Sequence, residues 1–333
     1  MTALITLIPA YKVEHLGDLL LGLRTQSFTD FRVVLSDDSP DGVITERIRS
    51  GAFDALIDKL DLAVIQGPRH GSLKNVQHLL KHCDTEAALV HLHMDDDVIY
   101  PDFYRQHAMA HASATLAASV SQRWLTAPDG RPVSALPLPA LVDEQPHRVL
   151  AVGPDALFAT TIPTCQNWLG EFSNTVLSQA AVRRLTTARI GGLSYYGLAD
   201  IGILLDASRE APIGFLRDHL SGFRSHPRQS TAQAQSHGLM CGYLAWVALA
   251  LGAHREKLID ERQLQSALAI TTRNLMDRYG ATATLAEYFA MAQRHATVPA
   301  AMLAPFTAYW HGLLQTNSDS CEEPQSEAVA TPA

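Results

Sequence analysis

The chain has 333 residues, of which 47% are apolar and 18% are charged, a composition typical of a globular protein with a substantial core. Its formal net charge of −8 and the lack of a Lys/Arg-rich stripe argue against a nucleic-acid partner. The four cysteines are scattered without a CxxC pair, which predicts neither a zinc site nor a disulfide framework and is typical of a reducing cytoplasm. The N-terminus has no basic leader and is interpreted as a first strand, not as a signal peptide.

The first hundred residues alternate between short β-rich runs and amphipathic helical runs. In chain order these runs cover residues 3–8, 16–23, 31–35, 43–60, 62–65, 73–83 and 88–92. Such a series of strand-then-helix units predicts an α/β fold with a mostly parallel central sheet and helices on both faces. Right-handed crossovers place the carboxyl ends of such strands along one edge. We therefore expect the polar segments that follow the strands, residues 9–11, 37–38, 67–71 and 95–97, to converge on one crevice.

The second half of the chain has less regular patterns. Residues 127–163 are rich in Pro and Gly and are predicted to form irregular strands and loops that extend the sheet. Residues 174–189 are predicted to be helical, and residues 191–200 form a Gly-rich approach to a lone acid, Asp200.

Beyond residue 230 the pattern becomes helical, with two apolar faces that are typical of a core or a docking face. These faces are formed by Leu264, Leu268, Thr271, Leu275 and Tyr279, and by Met302, Phe306, Tyr309, Trp310 and Leu313. The apolar run at 238–253 is shorter than a membrane span needs, so a buried helix is predicted. The predicted parts are a first domain at 1–230, a helical C-terminal region at 231–314 and a disordered tail at 315–333.

Three consecutive carboxylates, Asp95, Asp96 and Asp97, follow the fourth predicted strand. Taken alone, the triplet is either an acidic turn in water or a site for a divalent metal, which prefers hard oxygen ligands. At the edge of the predicted sheet, such a metal would bridge the phosphates of a nucleoside diphosphate and assist its departure. Asp37 and Asp38 could accept a hydrogen bond from a nucleobase imide.

Other nucleotide-binding signatures are missing. The chain has no GxxxxGK[ST] motif, and no GxGxxG motif follows the first strand. Kinase, NTPase and dehydrogenase functions are therefore disfavoured.

Several short motifs occur in an order that resembles the family-2 glycosyltransferases with a GT-A fold. They are Ile8-Pro-Ala-Tyr11, Thr25-Gln-Ser-Phe-Thr-Asp-Phe31, Val33-Val-Leu-Ser-Asp-Asp-Ser39, Gly71-Ser-Leu-Lys-Asn75, Met94-Asp-Asp-Asp-Val-Ile-Tyr-Pro-Asp102, Asn167-Trp-Leu-Gly-Glu171 and Phe223-Arg-Ser-His-Pro-Arg-Gln-Ser230. The resemblance covers residues 4 to about 230 and implies that residues 1–230 form the glycosyltransferase domain, with a nucleotide-sugar half at about 1–105 and an acceptor half at about 106–230. It departs from the family at Lys12, where an Asn is frequent. The QxxRW motif of processive synthases is absent, which favours the addition of a single sugar.

The resemblance implies a role for each matching residue. The nucleotide-binding residues would be Pro9, Ala10, Tyr11, Asp37, Asp38, Lys74 and Asn75, and the ligands of a divalent metal, Mn²⁺ or Mg²⁺, would come from Asp95, Asp96, Asp97 and His226. Aligning on Pro101 makes Asp96 the main ligand, whereas a literal Asp-x-Asp pattern selects Asp95 and Asp97. His226 has the alternative interpretation of a histidine in a capped turn.

The resemblance also implies the catalytic base. Asp200 would take the proton from an acceptor hydroxyl while that oxygen attacks the anomeric carbon with inversion; the alternative is a helix cap or a surface acid. Glu171 and Trp168 would contact the donor or acceptor sugar, and a structural hydrogen-bonding role is the alternative for Glu171.

The predicted function is a metal-dependent inverting glycosyltransferase that uses a nucleoside-diphosphate sugar, linked to UDP, and a glycan or lipid-linked glycan acceptor. The predicted location is cytoplasmic, and peripheral contact with the inner face of a membrane or a homodimer through the C-terminal helices remains open. The alternatives are a nucleotidyltransferase acting on a sugar phosphate and a non-catalytic nucleotide-sugar-binding protein.

Overall fold

A computed structural model describes residues 3–83, 87–225 and 236–319, with the backbone alone for 316–319. Within these ranges the chain forms a mixed sheet of ten strands with helices around it and a helical C-terminal region. This architecture confirms the predicted α/β class. His226 lies outside the described residues, as does most of the predicted tail, although the last helix continues past Gln315 to Asp319.

The first half of the sheet is parallel, as predicted. Its strands are β1 (Leu4–Ala10), β2 (Phe31–Asp37), β3 (Leu62–Gln66) and β4 (Leu89–Leu92), and their order is β3-β2-β1-β4. All residues of β1 are buried, because this strand has a parallel neighbour on each side and helices on both faces. Ala10 is level with Asp37, and Asp37 is level with Gln66. The three strands therefore end together at one edge.

The helices of this half are α1 (Leu16–Arg24), α2 (Val43–Arg49), α3 (Asp54–Ile57) and α4 (Ser72–Lys81). The single helix predicted for residues 43–60 is wrong, because the chain breaks between α2 and α3. Gly51 adopts a φ of 80° there, a left-handed conformation that glycine adopts without steric cost and that ends a helix.

The second half of the sheet mixes strand directions. Its elements are β5 (Val98–Ile99), α5 (Phe103–Ser113), β6 (Ala118–Thr126), β7 (Pro132–Ala135), α6 (Ala140–Asp143), β8 (Val149–Val152), α7 (Pro154–Thr161), β9 (Thr175–Ser178), α8 (Gln179–Arg184), α9 (Ala199–Ser208) and β12 (Ile213–Arg224), with a small separate hairpin of β10 (Arg189–Ile190) and β11 (Leu193–Ser194). Strand β9 runs antiparallel to both β4 and β6 and joins the two halves into one sheet. Strands β6 and β12 then run in the direction of β1.

The helix predicted for residues 174–189 is wrong at its start. Residues Thr175–Ser178 form β9, and only Gln179–Arg184 form a helix. The reason is local: Thr175, Val176 and Leu177 are buried, and β-branched residues between two strands favour the extended conformation. The irregular region predicted at 127–163 also contains a regular helix, α7, which begins with Pro154 at a position where its missing N–H costs nothing.

Among the described residues that follow the sheet, the chain forms α10 (His237–Arg255), α11 (Glu261–Tyr279), α12 (Ala286–Arg294) and α13 (Leu303–Asp319). The residues of the two predicted apolar faces are buried, except for the partly buried Leu313, and the helices share one hydrophobic core with one face of the sheet. Within the described part of the chain, no helix combines the length and the apolar character needed to cross a membrane.

The C-terminal helices also hold the segment that leads to α9. The Trp310 indole donates a hydrogen bond to the Ser194 carbonyl at 2.8 Å. Gly252 in α10 packs directly on the backbone of residues 190–191. A Cβ on Gly252 would be only 2.3 Å from the Ile190 carbonyl oxygen. Because both contacts precede Asp200 in the chain, α10 and α13 fix the start of the helix that carries this residue.

Candidate active site

The loop after β1 wraps around the first aspartate of the triplet. The backbone N–H groups of Tyr11 and Lys12 both donate to Asp95 Oδ2, each at 2.6 Å. Burial raises the pKa of Asp95 to about 6 despite these two donors. The structure therefore brings together two segments that the sequence separates by more than eighty residues.

The last aspartate of the triplet is held by strand β12. The backbone N–H of Arg224 donates to Asp97 Oδ1 at 3.1 Å, and the Arg224 guanidinium donates to the Asp96 carbonyl at 2.7 Å and to the Asp18 carboxylate at 2.9 Å. Burial, and then the charge of Asp96, raise the pKa of Asp97. Since the Arg224 side chain is only 1% exposed, it supports the loop from inside the protein.

Asp96 is the triplet residue whose carboxylate is paired with an ammonium group. Its partner is Lys12. The Asp96 side chain is 13% exposed and the Lys12 side chain is 27% exposed. Like charges so close together need a compensating cation, and Lys12 supplies one at this position.

A buried polar network lies behind the triplet. His91 Nε2 faces the Ser173 carbonyl at 3.2 Å and must therefore carry the proton, so Nδ1 accepts from the Tyr104 hydroxyl at 3.1 Å. The Thr6 hydroxyl lies 2.7 Å from the same Tyr104 oxygen and completes the chain. Burial lowers the pKa of His91 well below its usual value, so the ring is neutral. Ser173 also accepts the Met94 backbone N–H at 3.0 Å, which fixes the start of the triplet.

The two aspartates after β2 have different surroundings. Asp37 accepts from the Ser39 and Thr45 hydroxyl groups and backbone N–H groups. Burial alone would raise its pKa, but these donors lower it. Asp37 therefore holds its own loop together. Asp38 accepts the Arg69 backbone N–H and packs so closely on Gly67 that a Cβ there would be 2.5 Å from Asp38 Oδ1.

The remaining predicted nucleotide residues lie around the same edge. Pro9 and Ala10 are buried in β1, and the Ala10 carbonyl accepts the Asp38 N–H at 2.8 Å. The Tyr11 side chain is 58% exposed and is available to a ligand. Lys74 is exposed on α4, whereas Asn75 is buried and donates to the Ser36 carbonyl at 3.4 Å.

The second set of predicted residues meets on the other side of the triplet. Asp200 lies in the first turn of α9 and accepts from Asn167 Nδ2 at 3.1 Å. Glu171 forms a two-point ion pair with Arg123, in which Nη2 and Oε1 are 2.8 Å apart. Burial, and then the charge of Glu171, raise the pKa of Asp200 to about 6. The Glu171 charge also raises the pKa of Asp97, so Glu171 lies within electrostatic reach of both Asp97 and Asp200.

Trp168 has a different position from the one predicted. The sequence prediction places it against the donor or acceptor sugar, but the side chain is 5% exposed. Its indole donates to the Thr161 hydroxyl at 3.1 Å, and its ring packs on Phe215. We therefore correct this assignment: Trp168 supports the loop of Asn167 and Glu171 from the core.

Four residues of the site were not assigned a role from the sequence. Lys12 stands out in the sequence only as a departure from a frequent Asn, and Arg123 lies in none of the quoted motifs. Arg224 lies two residues before His226 in a quoted motif, and Asn167 opens another. A sequence signal was available for these two, since both stand in motifs of the resemblance.

The donor chemistry of the triplet fits a divalent cation through one carboxylate. Within the residues that the structure describes, no three His, Cys, Asp or Glu side chains are arranged to hold a metal together. Asp95 and Asp97 are 7% and 3% exposed, whereas the Asp96 side chain is 13% exposed, so Asp96 is the most accessible of the three carboxylates for a cation. A cation such as Mg²⁺ is commonly bound by one or two carboxylates together with substrate phosphates.

Comparison with solved structures gives proteins of the same fold at low sequence identity. The chain is 16% identical to S. aureus TarS, with a TM-score of 0.53. The match covers 89% of this chain but only 54% of TarS. With TarS 1-349 in complex with UDP-GlcNAc the identity is 15%, the TM-score 0.52 and the coverage 94% and 92% of the two chains. The chain is 17% identical to the mannosyltransferase PcManGT from Pyrobaculum calidifontis, in complex with GDP-Man and Mn²⁺, with a TM-score of 0.51. This match covers 96% of the chain and 88% of PcManGT.

No family model matches the chain, and no curated protein matches it. At these identities the structural likeness establishes the fold: the chain has the fold of proteins that bind nucleotide sugars.

Proposed function

We propose that this protein is a family-2, GT-A-type glycosyltransferase that moves one sugar from a nucleoside-diphosphate sugar, linked to UDP, to a hydroxyl of a glycan or lipid-linked glycan. One observation carries the proposal. A single sheet edge holds Asp38 at one end, the triplet of Asp95 to Asp97 in the middle, and Asp200 with Glu171 at the other end. This order matches a nucleobase, a diphosphate and a reacting sugar in sequence, and the shared fold supports it.

At the donor end, Asp38 is the better candidate for the nucleobase, because Asp37 is occupied by Ser39 and Thr45. An Asp38 carboxylate would accept the imide N–H of a uracil, and the exposed Tyr11 ring would cover the base. Lys74 lies exposed on α4, where its ammonium would attract the phosphates.

In the middle of the site, Asp96 would hold a divalent cation, Mn²⁺ or Mg²⁺. When bound, this ion neutralises the negative charge that develops on the departing diphosphate. Asp95 and Asp97 keep the loop in place through the backbone N–H groups of Tyr11, Lys12 and Arg224. His226 remains a candidate ligand from the sequence.

At the acceptor end, Asp200 would act as the base. Asn167 donates to Asp200 Oδ2, so Oδ1 would take the proton of an acceptor hydroxyl, and the raised pKa brings the basicity of Asp200 closer to neutral pH. Glu171, fixed by Arg123, would accept hydrogen bonds from sugar hydroxyls. A base opposite the leaving diphosphate produces inversion at the anomeric carbon.

The proposed function predicts donor binding that depends on Asp38. Nucleotide sugars are screened for thermal stabilisation in the presence of MnCl₂, and release of nucleoside diphosphate is then measured with candidate acceptors. We expect a UDP-sugar to stabilise the wild type and Asp38→Ala to lose at least about tenfold in donor affinity, which corresponds to about 1.4 kcal/mol. The control is Asp30→Ala, an exposed acid before β2 at the opposite edge of the sheet.

Three results would contradict the proposal in different ways. Stabilisation by no nucleotide sugar removes the donor site. Binding without any release of diphosphate indicates a non-catalytic nucleotide-sugar-binding protein. Formation of a nucleotide sugar from a sugar phosphate and a nucleoside triphosphate indicates a nucleotidyltransferase.

The transfer rate is predicted to fall on the acid side of pH 6. The pKa of Asp200 is raised to about 6, so the carboxylate form needed by a base is lost as the pH drops through this value. We expect kcat at saturating donor and cation to decrease about tenfold for each pH unit below 6. Donor affinity is measured over the same pH range as a control. Titration of the triplet would weaken donor binding, whereas titration of Asp200 would lower kcat alone. A kcat that stays constant down to pH 4.5 would exclude Asp200 as the base.

A further inference from the structure

Lys12 takes no part in the transfer described so far, although its ammonium lies inside the site. It is ion-paired with Asp96, the carboxylate at which a divalent cation would bind. Because the two side chains are 27% and 13% exposed, water screens this pair less than it screens a pair on the open surface. An ammonium and a divalent cation would therefore compete for the same carboxylate.

Asp95 and Asp97 are less suitable cation ligands than Asp96. Asp95 and Asp97 are more deeply buried than Asp96 and are fixed by backbone N–H groups, so a hydrated divalent cation reaches Asp96 more easily than either of them. An ammonium and a doubly charged cation at the same carboxylate also repel each other, even at the permittivity of water. In the donor-free protein, Lys12 thus opposes the binding of a divalent cation.

A diphosphate changes this balance, because it carries at least two negative charges and gives the Lys12 ammonium a second partner. We propose that Lys12 makes cation binding at Asp96 conditional on the donor: its ammonium neutralises Asp96 in the donor-free protein and moves to the diphosphate when the donor is bound. The inference rests on the proposed function and assigns this chain's own lysine a regulatory role in it. Donor and cation then strengthen each other's binding by the same factor, as thermodynamic linkage requires.

The test measures two affinities in the absence of turnover. Binding of MnCl₂ alone is followed by the electron paramagnetic resonance signal of free Mn²⁺, and binding of UDP and GDP is measured in EDTA. In Lys12→Met, which keeps the aliphatic stem, we expect Mn²⁺ alone to bind at least about tenfold tighter. We expect the nucleoside diphosphate without metal to bind about fivefold more weakly or worse, since it has lost a cation. The two affinities therefore move in opposite directions.

Two control variants accompany the test. Lys12→Arg keeps the positive charge and should bind Mn²⁺ as weakly as the wild type. Lys59→Met removes an exposed lysine before β3, at the edge of the sheet opposite the site, and should change neither affinity. Lys12→Gln replaces Lys12→Met if the latter does not reach a native melting temperature.

The outcomes separate this inference from the proposed function. Equal Mn²⁺ affinity in the wild type and Lys12→Met would overturn the role of Lys12, whatever the nucleotides do. If neither UDP nor GDP binds to any variant, the proposed function fails. In that case the Mn²⁺ comparison alone decides whether Lys12 competes for Asp96, and the proposed move of the ammonium to a diphosphate is refuted.

Discussion

Asp200→Asn is expected to abolish sugar transfer and to make the protein more stable. An amide cannot take the proton of the acceptor hydroxyl, so the rate should fall by about 10²–10⁴-fold. The stability gain follows from the pKa of about 6, which is raised above the usual 3.8 mainly by burial. Below pH 3.8 the group is protonated in both the folded and the unfolded protein, and the substitution gains nothing. As the pH rises to 6 the unfolded chain releases its proton first, and above pH 6 the full cost of the buried charge applies.

The size of this gain is limited by exposure. Two pKa units correspond to about 2.7 kcal/mol, but Asp200 is partly open to the crevice, so we expect the free energy of unfolding at pH 7.5 to rise by about 1–2 kcal/mol. Urea unfolding at pH 4 and pH 7.5 measures the difference.

The same helix supplies a matched control for Asp200→Asn. Asp206 also lies in α9, but it is ion-paired with Arg184 at 3.0 Å and Arg209 at 3.1 Å and is 2% exposed on its side chain. Asp206→Asn should therefore lower the free energy of unfolding by about 2–4 kcal/mol and keep the transfer rate per folded molecule. A destabilised Asp200→Asn, or one that still transfers sugar, would contradict the assigned role.

Arg123→Met is expected to destabilise the protein by about 2–4 kcal/mol, because it leaves the Glu171 carboxylate without its ion-pair partner. The Arg123 side chain is 6% exposed and that of Glu171 is 25% exposed, so the pair is largely buried. Removing the guanidinium also removes a cation that lowers the pKa of Asp200. The acid limb of kcat should therefore move above pH 6.

A double-mutant cycle separates the pair from its surroundings. Glu171→Gln alone should cost less than Arg123→Met, and the double variant should regain part of the lost stability, since neither charge then remains buried without a partner. The free energies of unfolding in urea give the coupling. Additive effects, together with an unchanged pH profile, would show that the pair neither orders the loop nor acts on Asp200.

The first half of the fold was predictable from local pattern. Strands β1 to β4 are short apolar runs separated by amphipathic helices, and a parallel βαβ series has few permitted topologies. The convergence of Tyr11, Lys12 and Asp95 follows from that topology. Strand β9 was missed because it pairs with β4 and β6, and its extended conformation depends on neighbours that are distant in the chain.

The ion pairs of the site could not be predicted in the same way. Lys12 with Asp96 and Arg123 with Glu171 join residues on separate elements, and a charged residue in a sequence does not identify its partner. The burial of Trp168 likewise depends on Phe215 in β12. The sequence indicated which segments carry the chemistry, whereas tertiary packing determined which side chains face the crevice.

The bond between Arg224 and the carboxylate triplet constrains the order in which the molecule can mature. Arg224 ends the last strand of the sheet, yet it binds Asp97 and Asp18 near the beginning of the chain. During synthesis on a ribosome, the early β-α units can fold as they emerge. The triplet, however, cannot reach its final arrangement until Arg224 has been synthesised and β12 has paired with β6. A nascent chain therefore lacks the final arrangement of the triplet until Arg224 has been translated.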